Sequence, residues 1–359
     1  MNKEDLLNRI ITPPDPAIHA AIRARWDSLS KPIDGLGDFE TLICRIGAAQ
    51  GTETPVADRR TAVIFCADNG VVEEGVSQCG SEVTAQVAVL LGAGKSTVNV
   101  MAGKAGVKIL PVDIGMCSQT DIAGVRNLKV SFGTRDFIKA PAMTEEETLL
   151  AIERGMELAG ELADSGEKIL AAGEMGIGNT TTATALLCGL LSLSPEDVCG
   201  RGAGLSDEKL ERKKRVIAAG LKKYGTAGEM TEPERAFYLL SCLGGLDIAG
   251  MVGLYIGSAG RNLPVVCDGL ISTVAALLAE RMVPGVREYV IPSHAGREQG
   301  NLQALSALGL RPLIAGDMAL GEGTGAVMLF PLIDIALALY REGGDFASAG
   351  IETYERYNK

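Results

Sequence analysis

The octapeptide Glu174-Met-Gly-Ile-Gly-Asn-Thr-Thr181 carries the residue types that an anion site needs. Glycines at 176 and 178 let backbone N–H groups come close to a ligand, and the apolar run Lys168-Ile-Leu-Ala-Ala leads in as a strand would. Ala and Leu dominate Thr180 to Leu191, which predicts a helix. Its first turn, with free N–H groups at the positive end of the dipole, suits a phosphate. Asn179 and Thr180 are also cap-forming types, so an ordinary capped βα turn is the plainer alternative. A second cluster, Gly200-Arg-Gly-Ala-Gly-Leu-Ser-Asp207, precedes a basic run from Lys209 to Arg215. That run reads by default as a solvated helix face. Lys213 within it is a compact point charge suited to a terminal phosphate.

Two other glycine-rich stretches fail as nucleotide loops. Leu91-Gly-Ala-Gly-Lys-Ser-Thr97 has Val89 where a P-loop needs its first glycine, and Thr84 to Leu91 predicts a helix rather than the required strand. Gly321-Glu-Gly-Thr-Gly325 lacks the dinucleotide spacing and lies too near the C-terminus to open a βαβ unit.

The elements that must position these residues follow one repeated pattern. Thr61 to Cys66 ends at Asp68, Val107 to Val112 at Asp113, and Lys168 to Ala172 at Glu174. Leu263 to Cys267 ends at Asp268, and Glu288 to Ile291 at Ser293. Short apolar runs alternating with helix-like stretches predict an α/β fold, a mostly parallel Rossmann-like sheet with helices on both faces. Such sheets bind ligands beyond the carboxyl ends of their strands, where these five residues fall. Each alone also fits ordinary turn chemistry. Residues 1–50 read as helices around a turn from Lys31-Pro32 to Gly37, with Trp26 and Leu29 on a buried face.

Composition narrows the functional classes. A chain of 359 residues with 47% hydrophobic and 22% charged side chains has enough apolar surface for a large core. A net charge of −11 argues against nucleic acid as the main partner. Two histidines and eight cysteines without a C-x-x-C pair give no metal site, and the cysteines inside apolar runs predict buried free thiols and a reducing, cytoplasmic setting. Charges throughout residues 1–10 argue against a signal peptide. Gly325 to Tyr340, interrupted by Pro331 and Asp334, is expected to be too short to span a bilayer, so no membrane partner is expected.

Several motifs in one order resemble a known family over nearly the whole chain. They are Lys31-Pro32 to Gly37-Asp-Phe-Glu40, Ala67-Asp68-Asn-Gly70, Glu74-Gly-Val-Ser77 and Val83-Thr-Ala-Gln86. Beyond the Glu174 octapeptide and Gly200 to Gly204 come Asp268-Gly269, Pro292-Ser-His294 and Leu320-Gly-Glu-Gly-Thr-Gly-Ala326. The chain is similar to the nicotinate-nucleotide:dimethylbenzimidazole phosphoribosyltransferase family. That resemblance implies a large α/β domain over 51–329, a small helical domain from both chain ends (1–50 with 330–359) and a homodimer. It implies two small-molecule substrates, nicotinate mononucleotide and a benzimidazole-type base, with no cofactor. Ribose 5-phosphate would pass to the base, giving α-ribazole phosphate and nicotinate. Because the leaving nicotinate is a pyridinium and no pyrophosphate departs, neither a general acid nor magnesium is demanded.

By the same resemblance, Glu322 accepts the benzimidazole proton and Glu174 is the second catalytic candidate. Gly176, Gly178, Asn179 and Thr180 contact the phosphate, with Gly202, Gly204 and Lys213 in support. Asp268 and Ser293 are candidates for ribose or nicotinate, and the base lies between Ser77, Gln86 and Leu320. The sequence departs from the family near the acceptor. The common Asp-His-Gly is here Asp68-Asn69-Gly70, and Cys79-Gly80 stands where Tyr-Pro often follows. These changes remove an imidazole and an aromatic from the expected base pocket. The alternatives are therefore another acceptor (a different benzimidazole, a purine or a phenol) or a nucleotide-binding protein without chemistry.

Overall fold

In the computed structural model, which describes residues 1–225 and 228–356, strand β1 (Arg60–Ala67) is buried along its whole length. Val63, Phe65 and Ala67 pack into one apolar cluster, and Ala62, Ile64 and Cys66 into another. This two-residue alternation, apolar on both sides, is that of a central strand covered on both faces. With β2 (Lys108–Gly115), β3 (Arg126–Asn127), β4 (Ile169–Met175), β5 (Val265–Cys267) and β6 (Val290–Pro292) it forms a six-stranded sheet. The order is β3-β2-β1-β4-β5-β6 and every pairing is parallel. The strand order reverses between β1 and β4, and ligands of such sheets sit in the crevice outside the carboxyl ends at that point.

The α/β expectation holds, with helices on both faces. Glu145–Asp164, Leu246–Ala259 and Leu270–Met282 fill one layer. Asp38–Gln50, Thr97–Ala105 and Thr324–Glu342 fill the other. Trp26 and Leu29 are buried as expected, and the Trp26 ring lies 5.2 Å from that of Tyr340, so side chains from both chain ends share one core.

Three features differ from the sequence reading. The apolar stretch Gly325 to Tyr340, expected to be too short to span a bilayer, belongs to a helix of 19 residues, Thr324–Glu342, that is long and apolar enough to cross a membrane by length and composition. It instead packs Val327, Leu329, Phe330, Ile333 and Leu337 into the core. At about 1.5–3 kcal/mol per buried side chain, this outweighs the roughly 3 kcal/mol cost of an internal proline. Asp334 turns outward and pairs with Arg60 at 2.7 Å. Secondly, Glu288 lies in a 3-10 turn, so β6 starts only at Val290. Thirdly, a separate two-stranded parallel sheet, β7 (His294–Gly296) with β8 (Ile314–Met318), follows β6.

Candidate active site

A cavity of about 280 Å³ opens at the carboxyl ends of β4 and β5. Its floor is the segment from Glu174 to Thr180, and a loop from Arg201 to Leu205 forms one wall. Gly176 must be glycine, because a Cβ there would lie 2.7 Å from both the Ala67 carbonyl oxygen and Asp247 Oδ2. The chain therefore leaves β4 in close contact with the layer beneath and enters the helix Asn179–Leu191 from Gly178, whose φ is +92°. The expected capping by Asn179 and Thr180 does not occur, and no side chain caps this helix. The Asn179 amide instead donates to Glu174 Oε2 and, at 3.0 Å, to Asp247 Oδ2. The helix N-terminus thus faces the cavity without a side-chain oxygen of its own over it, as an anion site requires.

Lys213 lies behind this floor rather than on a solvated face. Fully buried, it donates to Thr180 Oγ1 at 3.0 Å and to the Gly200 carbonyl at 3.1 Å. Burial lowers its pKa. It ties the two glycine clusters together and places a positive charge beneath them. Glu298, also lining the cavity, accepts the Gly202 N–H at 2.8 Å.

Across the cavity sits Glu322. Its φ is +57°, between Gly321 at +82° and Gly323 at +77°. Three successive left-handed residues form a turn in which only the middle one has a side chain, and a non-glycine residue there costs about 1–3 kcal/mol. Glu322 Oε2 is buried without a hydrogen-bond partner. Burial raises the carboxyl pKa; the Val98 backbone N–H opposes the shift and the Asp268 charge adds to it. A strained, under-partnered carboxylate with a raised pKa is poised to take a proton.

Asp268 holds that turn. Its Oδ1 accepts the N–H groups of Gly325 and Ala326 at 2.7 and 3.1 Å, and Oδ2 that of Gly323 at 3.2 Å. A residue from the end of β5 thereby caps the helix Thr324–Glu342.

Of the residues expected from sequence, Glu174, Gly176, Gly178, Asn179, Thr180, Gly202, Asp268, Ser77, Leu320 and Glu322 all line the one cavity. Four do not. Lys213 acts from behind the floor, and Gly204 lies outside the lining, its carbonyl accepting from the Gln78 amide. Ser293 points inward and pairs with His294 Nδ1 at 2.9 Å, leaving His294 to face the cavity. Gln86 is exposed on the helix Glu82–Gly92, away from the lining.

The five strand ends divide into two groups. Asp68 accepts the Cys117 N–H at 2.7 Å and Asp113 pairs with Lys129 at 3.1 Å, both in structural roles apart from the cavity. Asn69 also lies outside the lining, its amide 3.4 Å from the Ile177 carbonyl, so only Cys79 of the two acceptor-side departures faces the cavity. Sequence reasoning missed Asp247, Glu298 and His294. The Ser-His pair after β6 was a usable signal for the last. The other two are ordinary helix-start acids, with nothing local to distinguish them.

A cavity that sets an anion cradle opposite one strained carboxylate suits group transfer from a phosphorylated substrate, and with this sheet it defines an α/β phosphosugar transferase. A family model described as phosphoribosyltransferase matches residues 11–351. The chain belongs to the nicotinate-nucleotide–dimethylbenzimidazole phosphoribosyltransferase family. The family member of that name from Acetivibrio thermocellus is 40% identical over 336 residues, covering 93% of this chain and 94% of the relative. The one from Clostridium acetobutylicum is 38% identical over 355 residues, covering 99% of each. The crystal structure of CobT from Thermus thermophilus superposes with a TM-score of 0.88 at 38% identity, covering 94% of this chain and 100% of that one.

Proposed function

We propose that this phosphoribosyltransferase moves ribose 5-phosphate from nicotinate mononucleotide to a ring nitrogen of a benzimidazole, with 5,6-dimethylbenzimidazole as the first acceptor to test. The products are α-ribazole 5′-phosphate, for the lower-ligand nucleotide of cobalamin, and nicotinate. The observation that carries this reading is Glu322, held in a left-handed turn with an unpartnered oxygen across one cavity from the glycine cradle.

In this reading the donor phosphate lies on the backbone of Gly176, Gly178, Asn179 and Thr180, with Gly202 beside it and the Lys213 charge beneath. The bond between C1′ and the pyridinium nitrogen breaks, its electron pair neutralising the nicotinate ring. The acceptor nitrogen attacks C1′ from the opposite face, inverting the β-linked donor into an α-linked product. The N–H proton released from the acceptor passes to Glu322. Cradle and carboxylate facing each other across the cavity suit such an in-line displacement.

A second reading keeps the donor and changes the acceptor to another benzimidazole, a purine or a phenol. Cys79 favours it, because this free thiol lines the cavity where the family resemblance implies an aromatic side chain. Incubation with nicotinate mononucleotide and competing acceptors, followed by measurement of nicotinate release, tests both readings. Release with dimethylbenzimidazole that is lost in Glu322→Gln is expected. Donor binding without release, for any azole or phenol, would leave only a nucleotide-binding protein.

We further propose a homodimer in the cytoplasm, with a small helical unit over 1–50 and 330–359, of which 357–359 lie outside the described residues. The support for the homodimer is a stripe of exposed apolar side chains, Met328, Leu332, Ile335 and Leu339, spaced three to four residues apart on the helix Thr324–Glu342.

A further inference from the structure

Asp247 is fully buried at the start of the helix Leu246–Ala259, beneath the floor of the cavity and outside its lining. Its Oδ1 accepts the Ile248 N–H at 2.9 Å. Its Oδ2 accepts one hydrogen of the Asn179 amide at 3.0 Å, while the same nitrogen also donates to Glu174 Oε2. One NH2 group therefore bridges two buried carboxyls. Among the described residues neither carboxyl has a salt-bridge partner, so no cation balances the pair.

We propose that Asp247 is a positioning residue for the transfer reaction, acting on Glu174 through the Asn179 side-chain amide. Two negative charges this close and this deeply buried are strongly disfavoured, so one proton stays on the pair. The environments decide which member carries it. Asp247 has the helix N-terminus, the Ile248 N–H and the Asn69 side chain, all of which favour its charged form. Glu174 has only Asn179 and is surrounded by the acids Asp247, Asp268 and Glu322. Burial raises both carboxyls, Asp247 to about 6 and Glu174 further, to about 8, with the Asp247 charge as the next cause for Glu174.

Glu174 therefore meets the donor as a neutral carboxyl that can donate a hydrogen bond, fixed in one rotation by Asn179. Glu322 is left as the ionised carboxylate able to accept the acceptor's proton. Two acids with separate tasks thus arise from different surroundings. Asp247 enforces the division without touching the substrate.

This inference rests on the transfer reaction proposed above, but its test needs no turnover, so the two can fail separately. Infrared difference spectra of the whole protein with 13C-labelled glutamate, taken against Glu174→Gln, should show a protonated-carboxyl band near neutral pH that titrates away in the alkaline range. In Asp247→Asn, which keeps the shape and removes the charge, the midpoint should fall by about one pH unit or more. Where that variant turns over, the alkaline limb of its kcat/KM profile should shift by the same amount, with a smaller effect on the donor KM. If Asp247→Asn does not fold, the wild-type titration alone decides. Absence of the band at neutral pH in wild type, or an unmoved midpoint in a folded Asp247→Asn, overturns the proposal.

Discussion

Asp268 governs Glu322 without touching it, by accepting three backbone N–H groups that fix the turn on which Glu322 rides. Residues 55, 57 and 58 positions apart are joined by these bonds, so the proposed base is placed by the end of β5 rather than by its own helix alone. Asp268→Ala should leave three buried donors unsatisfied and cost about 3 kcal/mol or more. Misplacing the carboxylate by about 1 Å should lower nicotinate release roughly 100-fold, with donor binding affected much less. A denaturant melt beside a kinetic assay checks this. A rate loss no larger than the unfolded fraction would show that Asp268 only stabilises.

Glu322 itself should trade stability against activity. Glu322→Gln is expected to lower kcat by about 10²–10⁴, the usual contribution of a positioned base, and to leave donor affinity unchanged. Glu322→Gly should relieve the left-handed strain and raise stability by about 1 kcal/mol while abolishing turnover. Calorimetry on the two variants decides it, and a Gly variant less stable than wild type would remove strain from the account.

The pH dependence has two opposite signs. Glu322 must be ionised to accept a proton, and burial raises its pKa above the ordinary 4.5. The kcat/KM profile should therefore climb with pH along a limb displaced above the ordinary carboxyl range, and that limb should vanish in Glu322→Gln. Glu174, pushed up to about 8, is favoured by the fold in its neutral form. Its contribution to stability is fully present below about pH 4.5 and is lost as pH rises towards about 8. Urea melts across that window should show wild-type stability falling, and Glu174→Gln should flatten the fall.

Lys213→Met should separate phosphate recognition from the rest of the donor site. A hydrogen-bonded charge is worth about 1.5–3 kcal/mol, so the KM for nicotinate mononucleotide should rise by roughly 10- to 100-fold. Nicotinate riboside, which lacks the phosphate, should lose nothing further. Equal losses for both donors would make Lys213 a fastener of the Thr180 and Gly200 loops only.

The exposed stripe on the helix Thr324–Glu342 predicts association. Ile335→Glu places a charge at its most exposed member, 65% accessible in the single chain, and should give monomers by analytical ultracentrifugation. A wild-type protein that sediments as a monomer at micromolar concentration would remove the proposed dimer.

Much of the frame is legible in the order of residues alone. Short apolar runs locate β1, β2, β4 and β5, and the Gly-Ile-Gly-Asn-Thr stretch locates the cradle, because these signals are local. Glycine at 176 is readable as a close approach, although what it approaches, Ala67 and Asp247, is not. How side chains share partners emerges only when the chain is folded. Folding takes Asn179 from a capping role to a bridge between two acids, moves Lys213 from a solvated face to a buried tie, and sets Ser293 aside in favour of His294. It makes Asp268 the holder of the Glu322 turn. Each of these outcomes depends on packing and hydrogen bonds between residues far apart in the chain. Local propensity reports what a residue can do, whereas burial fixes which partner it takes.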